Sequence, residues 1–238
     1  MAVMSAPVVT QGATVLRAAG LTRTFGSVRA LDNVSFGVRS GEILGLIGPN
    51  GAGKTTLFEC LAGVLPLTSG PVVHGAHALA VSERGTVMFY VPDGIAPWPE
   101  QSVRWALDFS LGFFRGGAEQ RDRVIRELDL QPLMQARMAS LSKGQRKRVL
   151  LAIGLLTPHP ILLLDEPFDA LDLRQTRDIT RVLRGHAASG RTIVLSIHQI
   201  HDAARACDRF VLLSGGTVRA EGTLDESTDL EEVFLALT

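Results

Sequence analysis

The sequence predicts an α/β protein with a mostly parallel core sheet, an N-terminal antiparallel β layer and an inserted α-helical subdomain. Three observations predict it. Bare apolar runs at Ile43–Ile47, Val87–Val91, Ile161–Leu164 and Thr192–Ile197 have the length and composition of strands covered on both faces. Short strand-like runs before residue 40 are punctuated by turn residues. Residues 100–156 show helical spacing and no strand signal. The pattern does not repeat as a whole. It therefore predicts one domain over 14–222, with core segments 14–90 and 157–222 and a helical subdomain at about 95–156. Residues 1–13 read as a flexible leader and 223–238 as a tail.

In chain order, Thr14–Ala18, Val28–Leu31 and Val34–Val38 read as short strands, with turns at Gly20, Phe25-Gly26-Ser27 and Arg39-Ser40-Gly41. Strand Ile43–Ile47 opens the buried sheet and runs into a helix over Thr55–Gly63. Val72–Val81, with Gly70-Pro71 and Gly75, suggests a turn-rich hairpin. Pro92–Pro99 is a loop. A helix carrying Trp105, Leu107, Phe109 and Leu111 follows, then one over Glu119–Leu130 with Val124, Ile125 and Leu128 at helical spacing. Ser142 is a natural N-cap for a third helix ending at Leu156. Beyond strand Ile161–Leu164, a helix over Asp172–Ala188 closes on Gly190. Strand Thr192–Ile197, a short helix His201–Cys207, strand Phe210–Leu213 and a turn at Ser214–Thr217 into Val218–Ala220 complete the order.

Composition narrows the class. The 238 residues are 46% hydrophobic and 20% charged, which is globular rather than disordered. Lys plus Arg equals Asp plus Glu, at 24 each, so no net field pulls the chain toward nucleic acid, and no nucleic-acid partner is expected. Arginine supplies most of the positive charge; the lysines are Lys54, Lys143 and Lys147. No apolar run approaches the roughly 18–20 residues of a membrane span. Met1–Gly12 has no basic start, so a secretory signal is not expected. Cys60 and Cys207 lack metal-ligand spacing and read as buried thiols of a reducing cytoplasm.

The chemistry begins at Gly48-Pro49-Asn50-Gly51-Ala52-Gly53-Lys54-Thr55-Thr56, which fits the phosphate-loop pattern G-x-x-x-x-G-K-[ST] between a strand and a helix. Its glycines let successive N–H groups point inward as an anion nest, and the helix that follows adds its positive dipole end. Lys54 is expected on the β- and γ-phosphates and the Thr55 hydroxyl on Mg²⁺. Downstream, Asp165-Glu166 ends an apolar strand, where open α/β sheets bind ligands. Asp165 is expected to hold the magnesium and Glu166 to polarise an attacking water.

With these motifs in place, the chain resembles the ATP-binding subunit of ATP-binding cassette (ABC) transporters, a P-loop NTPase family. Leu141-Ser142-Lys143-Gly144-Gln145 is similar to that family's signature, usually LSGGQ, with Lys143 in the third position. The resemblance implies that Ser142, Gly144 and Gln145 face the nucleotide of a second subunit. Lys143 reads either as an added phosphate attraction or as a solvent-facing side chain, the second being preferred. Phe25 sits where the family places an aromatic that stacks on adenine; the alternative is a core residue. Phe168-Asp169-Ala170-Leu171-Asp172 resembles the D-loop, with Asp172 as its acid. His198 matches the switch histidine, implying contact with the γ-phosphate and with Glu166. The other five histidines read as surface residues. Asp93 stands where the family has the Q-loop glutamine, and is expected to bind or water-bridge Mg²⁺ unless Pro92-Asp93-Gly94 is only a turn.

The resemblance implies a Mg-ATP-hydrolysing subunit that dimerises and drives a separately encoded permease from the cytoplasmic face of the membrane. A simple architecture points to the exporter type. Seven aromatics between Met88 and Arg115 fall where the family receives its permease. Of these, Trp105 and Phe109 are expected in the core, and Trp98 and Phe113 or Phe114 outside. The alternative is a non-transport ABC ATPase acting on a soluble macromolecule.

Overall fold

In the computed structural model of the chain, the described residues are 12–224 together with Glu232 and Phe234. The leader and tail expectations fall mostly outside them. Strands β1 (Thr14–Phe25) and β2 (Val28–Arg39) form a long antiparallel hairpin. Sequence reading breaks this hairpin at Gly20, but the strand runs through. Gly20 is left-handed (φ 64°) and its N–H bonds Ser35 Oγ, while Asn33 on the facing strand is also left-handed (φ 53°). Such residues make bulges when both strands stay paired, and the register slips here.

Strand β3 (Ile43–Ile47) and helix α1 (Lys54–Ala62) follow, with Gly63 left-handed at the helix end. Strands β4 (Val72–His74) and β5 (His77–Ala78) extend the first sheet to the order β2-β1-β4-β5. Helix α2 (Val81–Val87) was not expected from the sequence, because it is short and contains Gly85; the Glu83 carboxylate anchors it by accepting the Ala80 N–H at 2.7 Å. Strand β6 (Met88–Val91) therefore starts one residue later than expected.

Three helices, α3 (Val103–Phe113), α4 (Ala118–Glu127) and α5 (Lys143–Leu156), are inserted before strand β7 (Ile161–Asp165). Two 3-10 turns, Gln131–Leu133 and Met138–Ser140, link α4 to α5. Helix α6 (Leu173–Ala188), strand β8 (Thr192–Ile197), helix α7 (Ile200–Ala206) and strands β9 (Arg209–Ser214) and β10 (Thr217–Thr223) complete the chain. The second sheet has the order β10-β9-β3-β8-β7-β6, parallel except for the β10 edge.

Both faces of this sheet are covered, which is why its strands read as unbroken apolar runs. Alternation sends Ile43, Ile47, Leu162, Leu164, Ile193, Leu195, Phe210 and Leu212 toward the helical side. The intervening Leu44, Leu46, Ile161, Leu163, Val194, Val211 and Leu213 pack with α1 and the first sheet. Asp165 and Ser196 continue this second parity, so both end up on the α1 side, and the register pairs them directly. Cys60 and Cys207 are buried and unbridged; burial raises the Cys60 pKa to about 11 and Cys207 further.

Helix α3 turns Trp105 and Phe109 outward, against expectation, while Phe113 is exposed as expected. Its buried stripe is Val103, Ala106, Leu107, Ser110 and Leu111. Trp105, Phe109 and Phe113 lie on the outer stripe, 38%, 45% and 71% exposed. They stack on one another instead of entering the core, with ring centroids 4.9 Å apart for Trp105–Phe109 and 6.4 Å for Phe109–Phe113. Trp98, half-buried, meets Trp105 and Phe109 edge-on at 5.6 and 5.2 Å. Of the five histidines read as surface residues, His77 and His201 are exposed. His159 is half-buried against Phe89 and Phe114, and burial lowers its pKa.

Candidate nucleotide site

The phosphate loop is shaped by what its glycines exclude. A Cβ on Gly48 would lie 2.2 Å from the Leu213 carbonyl oxygen, and one on Gly53 2.7 Å from that of Ala30. Gly51 and Gly53 are left-handed, at φ 80° and 103°. Pro49, Asn50 and Ala52 complete the curl, and the Ala52 N–H closes it on the Pro49 carbonyl at 3.2 Å. Thr56 follows Thr55 in the first turn of α1. Lys54 is buried, and its Nζ donates to the carbonyls of Gly48 at 2.7 Å and Pro49 at 3.2 Å. Burial lowers its pKa, opposed by the nearby carboxylates of Glu166 and Asp165.

Asp165 is a buried carboxylate served by three hydroxyls. Thr55 Oγ1 donates to its Oδ2 at 2.9 Å, Tyr90 to the same oxygen at 3.1 Å, and Ser196 to Oδ1. Burial, then the Asp165 charge, raises the Tyr90 pKa, so the phenol stays a neutral donor. A buried anion met by neutral donors beside a helix N-terminus, with a threonine hydroxyl at hand, is a hard-oxygen seat suited to a divalent cation.

Glu166 lies just beyond, with φ 48°. Its Oε2 bonds His198 Nδ1, and its Oε1 lies 3.9 Å from Lys54 Nζ. Thus the spatial cluster joins Lys54 and Thr55 from α1, Asp165 and Glu166 from the end of β7, and His198 from the end of β8. The arrangement can cradle an anionic phosphate chain, seat a cation on oxygen and hold a carboxylate-imidazole pair for proton handling.

A family model described as ABC transporter matches residues 31–169. The chain belongs to this family. A sulfate/thiosulfate import ATP-binding protein of Brucella melitensis is 38% identical over 226 residues, covering 90% of this chain and 62% of the relative, so this chain spans less than two thirds of that protein's length. A hemin import ATP-binding protein of Thermobifida fusca is 35% identical, over 90% of this chain and 78% of the relative. A cobalt import ATP-binding protein of Rhodobacter capsulatus is 37% identical, over 87% and 78%. Among solved structures, an ATP-binding subunit of an ABC transporter superposes with TM-score 0.84 at 27% identity, covering 94% of this chain and 99% of that one. A dimeric bacterial ABC transporter cassette does so with TM-score 0.80 at 25% identity, covering 88% and 99%.

Leu141–Gln145, the stretch similar to the family's signature, leads into α5. Ser142 Oγ accepts the Gln145 N–H at 3.2 Å, and the Gln145 side chain accepts the Ser142 N–H at 2.9 Å, a reciprocal cap. Gly144 lies close under its neighbour: a Cβ there would be 3.0 Å from the Ala170 carbonyl oxygen, a tight fit. Lys143 is exposed, as the preferred reading has it, and its Nζ lies 2.5 Å from Asp169 Oδ2, which raises the lysine pKa and lowers that of the acid. Asp172 caps α6, its Oδ1 accepting the Gln175 N–H at 2.8 Å. Phe25 is 43% exposed rather than core, with the Arg23 guanidinium 4.3 Å from its ring centre.

Asp93, expected on Mg²⁺, meets a cation of the chain itself. Its Oδ1 pairs with Lys147 Nζ at 2.8 Å, and it makes no hydrogen bond to Thr55 or Asp165. A buried ammonium needs a counter-charge, and Asp93 supplies it.

Sequence reasoning missed Ser196, Tyr90 and Lys147. Ser196 carried a signal, as a polar residue inside an apolar strand. Lys147 also did, because the other two lysines of this arginine-rich chain fall in motifs. Ser196 is fully buried, and its Oγ both donates to Asp165 and accepts the Glu166 N–H at 2.9 Å. Ser196→Ala removes the Ser196 partner of Asp165 Oδ1 and of the Glu166 N–H, and is expected to cost about 1–3 kcal/mol in denaturant unfolding. A variant as stable as wild type would show that these bonds are replaceable.

Proposed function

We propose that the chain is the ATP-hydrolysing subunit of a transporter whose permease is encoded separately. The observation that carries this reading is the convergence of Lys54, Thr55, Asp165, Glu166 and His198. The phosphate loop binds the triphosphate, and Lys54 leaves its own loop carbonyls to meet the β- and γ-phosphates. Thr55 and Asp165 would hold Mg²⁺, which supplies charge to the phosphate oxygens. Glu166 orients the attacking water and takes its proton, with His198 holding the carboxylate in place. Phe25 offers the ring face opposite Arg23 to adenine.

The capped N-terminus of α5, with Ser142, Gly144 and Gln145, faces the nucleotide of a second copy, so that ATP closes a dimer around two sites. The dimeric cassette at 25% identity supports this pairing. On direction, the named relatives at 35–38% identity are import subunits, which favours import. The ABC exporter that also superposes is 21% identical and carries the fold alone. The exporter-type expectation thus has no support. Among the described residues no helix is long and apolar enough to cross a membrane. In this reading, attachment to the cytoplasmic face comes through the permease.

The outward aromatic ladder Trp105-Phe109-Phe113, with Trp98 beneath it, suits that docking, because aromatic side chains dominate interface cores. Trp105→Ala with Phe113→Asp is expected to weaken co-purification with the permease by about tenfold or more. Basal ATP turnover of the isolated subunit is expected to stay unchanged. The test is ATP hydrolysis by the purified subunit, alone and with its permease. No hydrolysis in either form refutes the reading, and undiminished permease binding by the double variant refutes the docking face.

A further inference from the structure

We infer that Lys147 is a positioning residue for Glu166, a role that rests on the reading of Glu166 as the hydrolytic base. Glu166 has φ 48°, a region costly for any residue with a side chain. It also precedes Pro167, whose ring disfavours all but extended backbone at the residue before it. A conformation penalised twice persists only if the surroundings impose it. Here they clamp Glu166 by its main chain from both sides. On the sheet side, Ser196 Oγ accepts the Glu166 N–H. On the helical side, Lys147 Nζ donates to the Glu166 carbonyl oxygen. The same ammonium pairs with Asp93 and is 8% exposed, so little water competes for it.

One turn earlier on α5, Lys143 pairs with Asp169, three residues beyond Glu166. Helix α5 therefore grips the strand-to-helix turn after β7 at both ends. The Asp169 N–H, 3.2 Å from the Glu166 carbonyl oxygen, closes that turn on itself. Lys147 thus fixes the peptide that aims the Glu166 carboxylate at His198 and Lys54. Its Asp93 partner ties the same grip to the loop between β6 and α3. Movement of α5 is transmitted to the base through one buried side chain.

The test compares Lys147→Met, Lys147→Arg, Asp93→Asn and Glu166→Gln in the full chain, measuring kcat, ATP affinity and melting temperature. Methionine keeps the apolar stem and removes the donor. Lys147→Met is expected to lower kcat by about ten- to a hundredfold with ATP affinity within about twofold, the signature of a base displaced by an ångström or less. Lys147→Arg restores a donor and is expected to recover most of that loss. Asp93→Asn keeps the carbonyl link and is expected to stay within about threefold of wild type. The inference is overturned if Lys147→Met turns over at the wild-type rate, if kcat and affinity fall together, or if Asp93→Asn falls as far as Lys147→Met. If Glu166→Gln itself hydrolyses ATP normally, it is the base assignment that fails.

Discussion

Glu166→Gln is expected to lower ATP turnover about 10³-fold, some 4 kcal/mol of barrier, with ATP affinity retained. The amide matches the carboxylate in size and can still bond His198, so the change removes basicity and charge rather than shape. Glu166 lies 3.9 Å from Lys54 Nζ, too far for a strong hydrogen bond, so the phosphate cradle does not depend on it. Single-turnover hydrolysis beside equilibrium ATP binding separates the two effects. Turnover within tenfold of wild type would remove Glu166 from the role of base.

Gly48→Ala is expected to abolish ATP binding at concentrations that saturate wild type, and to destabilise the fold by about 1–3 kcal/mol. The new Cβ would sit 2.2 Å from the Leu213 carbonyl oxygen and 3.1 Å from the Ala52 Cβ. Both neighbours are fixed: Leu213 belongs to β9, paired in the sheet, and Ala52 is held by the loop's own hydrogen bond. The loop must therefore move away from β9, and its N–H groups lose their common focus. Isothermal titration with ATP and thermal unfolding report the two consequences. Wild-type affinity in this variant would mean that the loop tolerates a different path.

The motifs that were legible in the sequence are local ones. The spacing of Gly48, Gly53 and Lys54 is a backbone requirement, and a carboxylate pair ending an apolar strand needs no knowledge of the partner strand. The strands themselves were legible because a sheet covered on both faces demands unbroken apolar runs. What stayed hidden depends on register and packing. Ser196 matters only because β8 pairs it with Asp165. Tyr90 matters because the β6 parity turns it to the α1 side. Lys147 acts on a main-chain carbonyl, which leaves no trace in residue spacing. The partner of Asp93 stayed hidden for the same reason: the buried cation that pairs with it lies on α5, 54 residues downstream. Trp105 and Phe109, spaced for one helix face, gave no hint of whether that face pointed inward. Gly20 and Asn33 have turn chemistry, yet strand pairing absorbed them as bulges.

The central claim is that ATP is hydrolysed in a site completed by a second copy of the chain. The most direct measurement is the mass in solution of the Glu166→Gln variant, by light scattering on a sizing column, with and without Mg-ATP. The site described here predicts a shift from one 25.5 kDa chain to a pair when Mg-ATP is added, lost again in Glu166→Gln combined with Ser142→Arg. A variant that binds ATP tightly but remains a single chain at every concentration would contradict it.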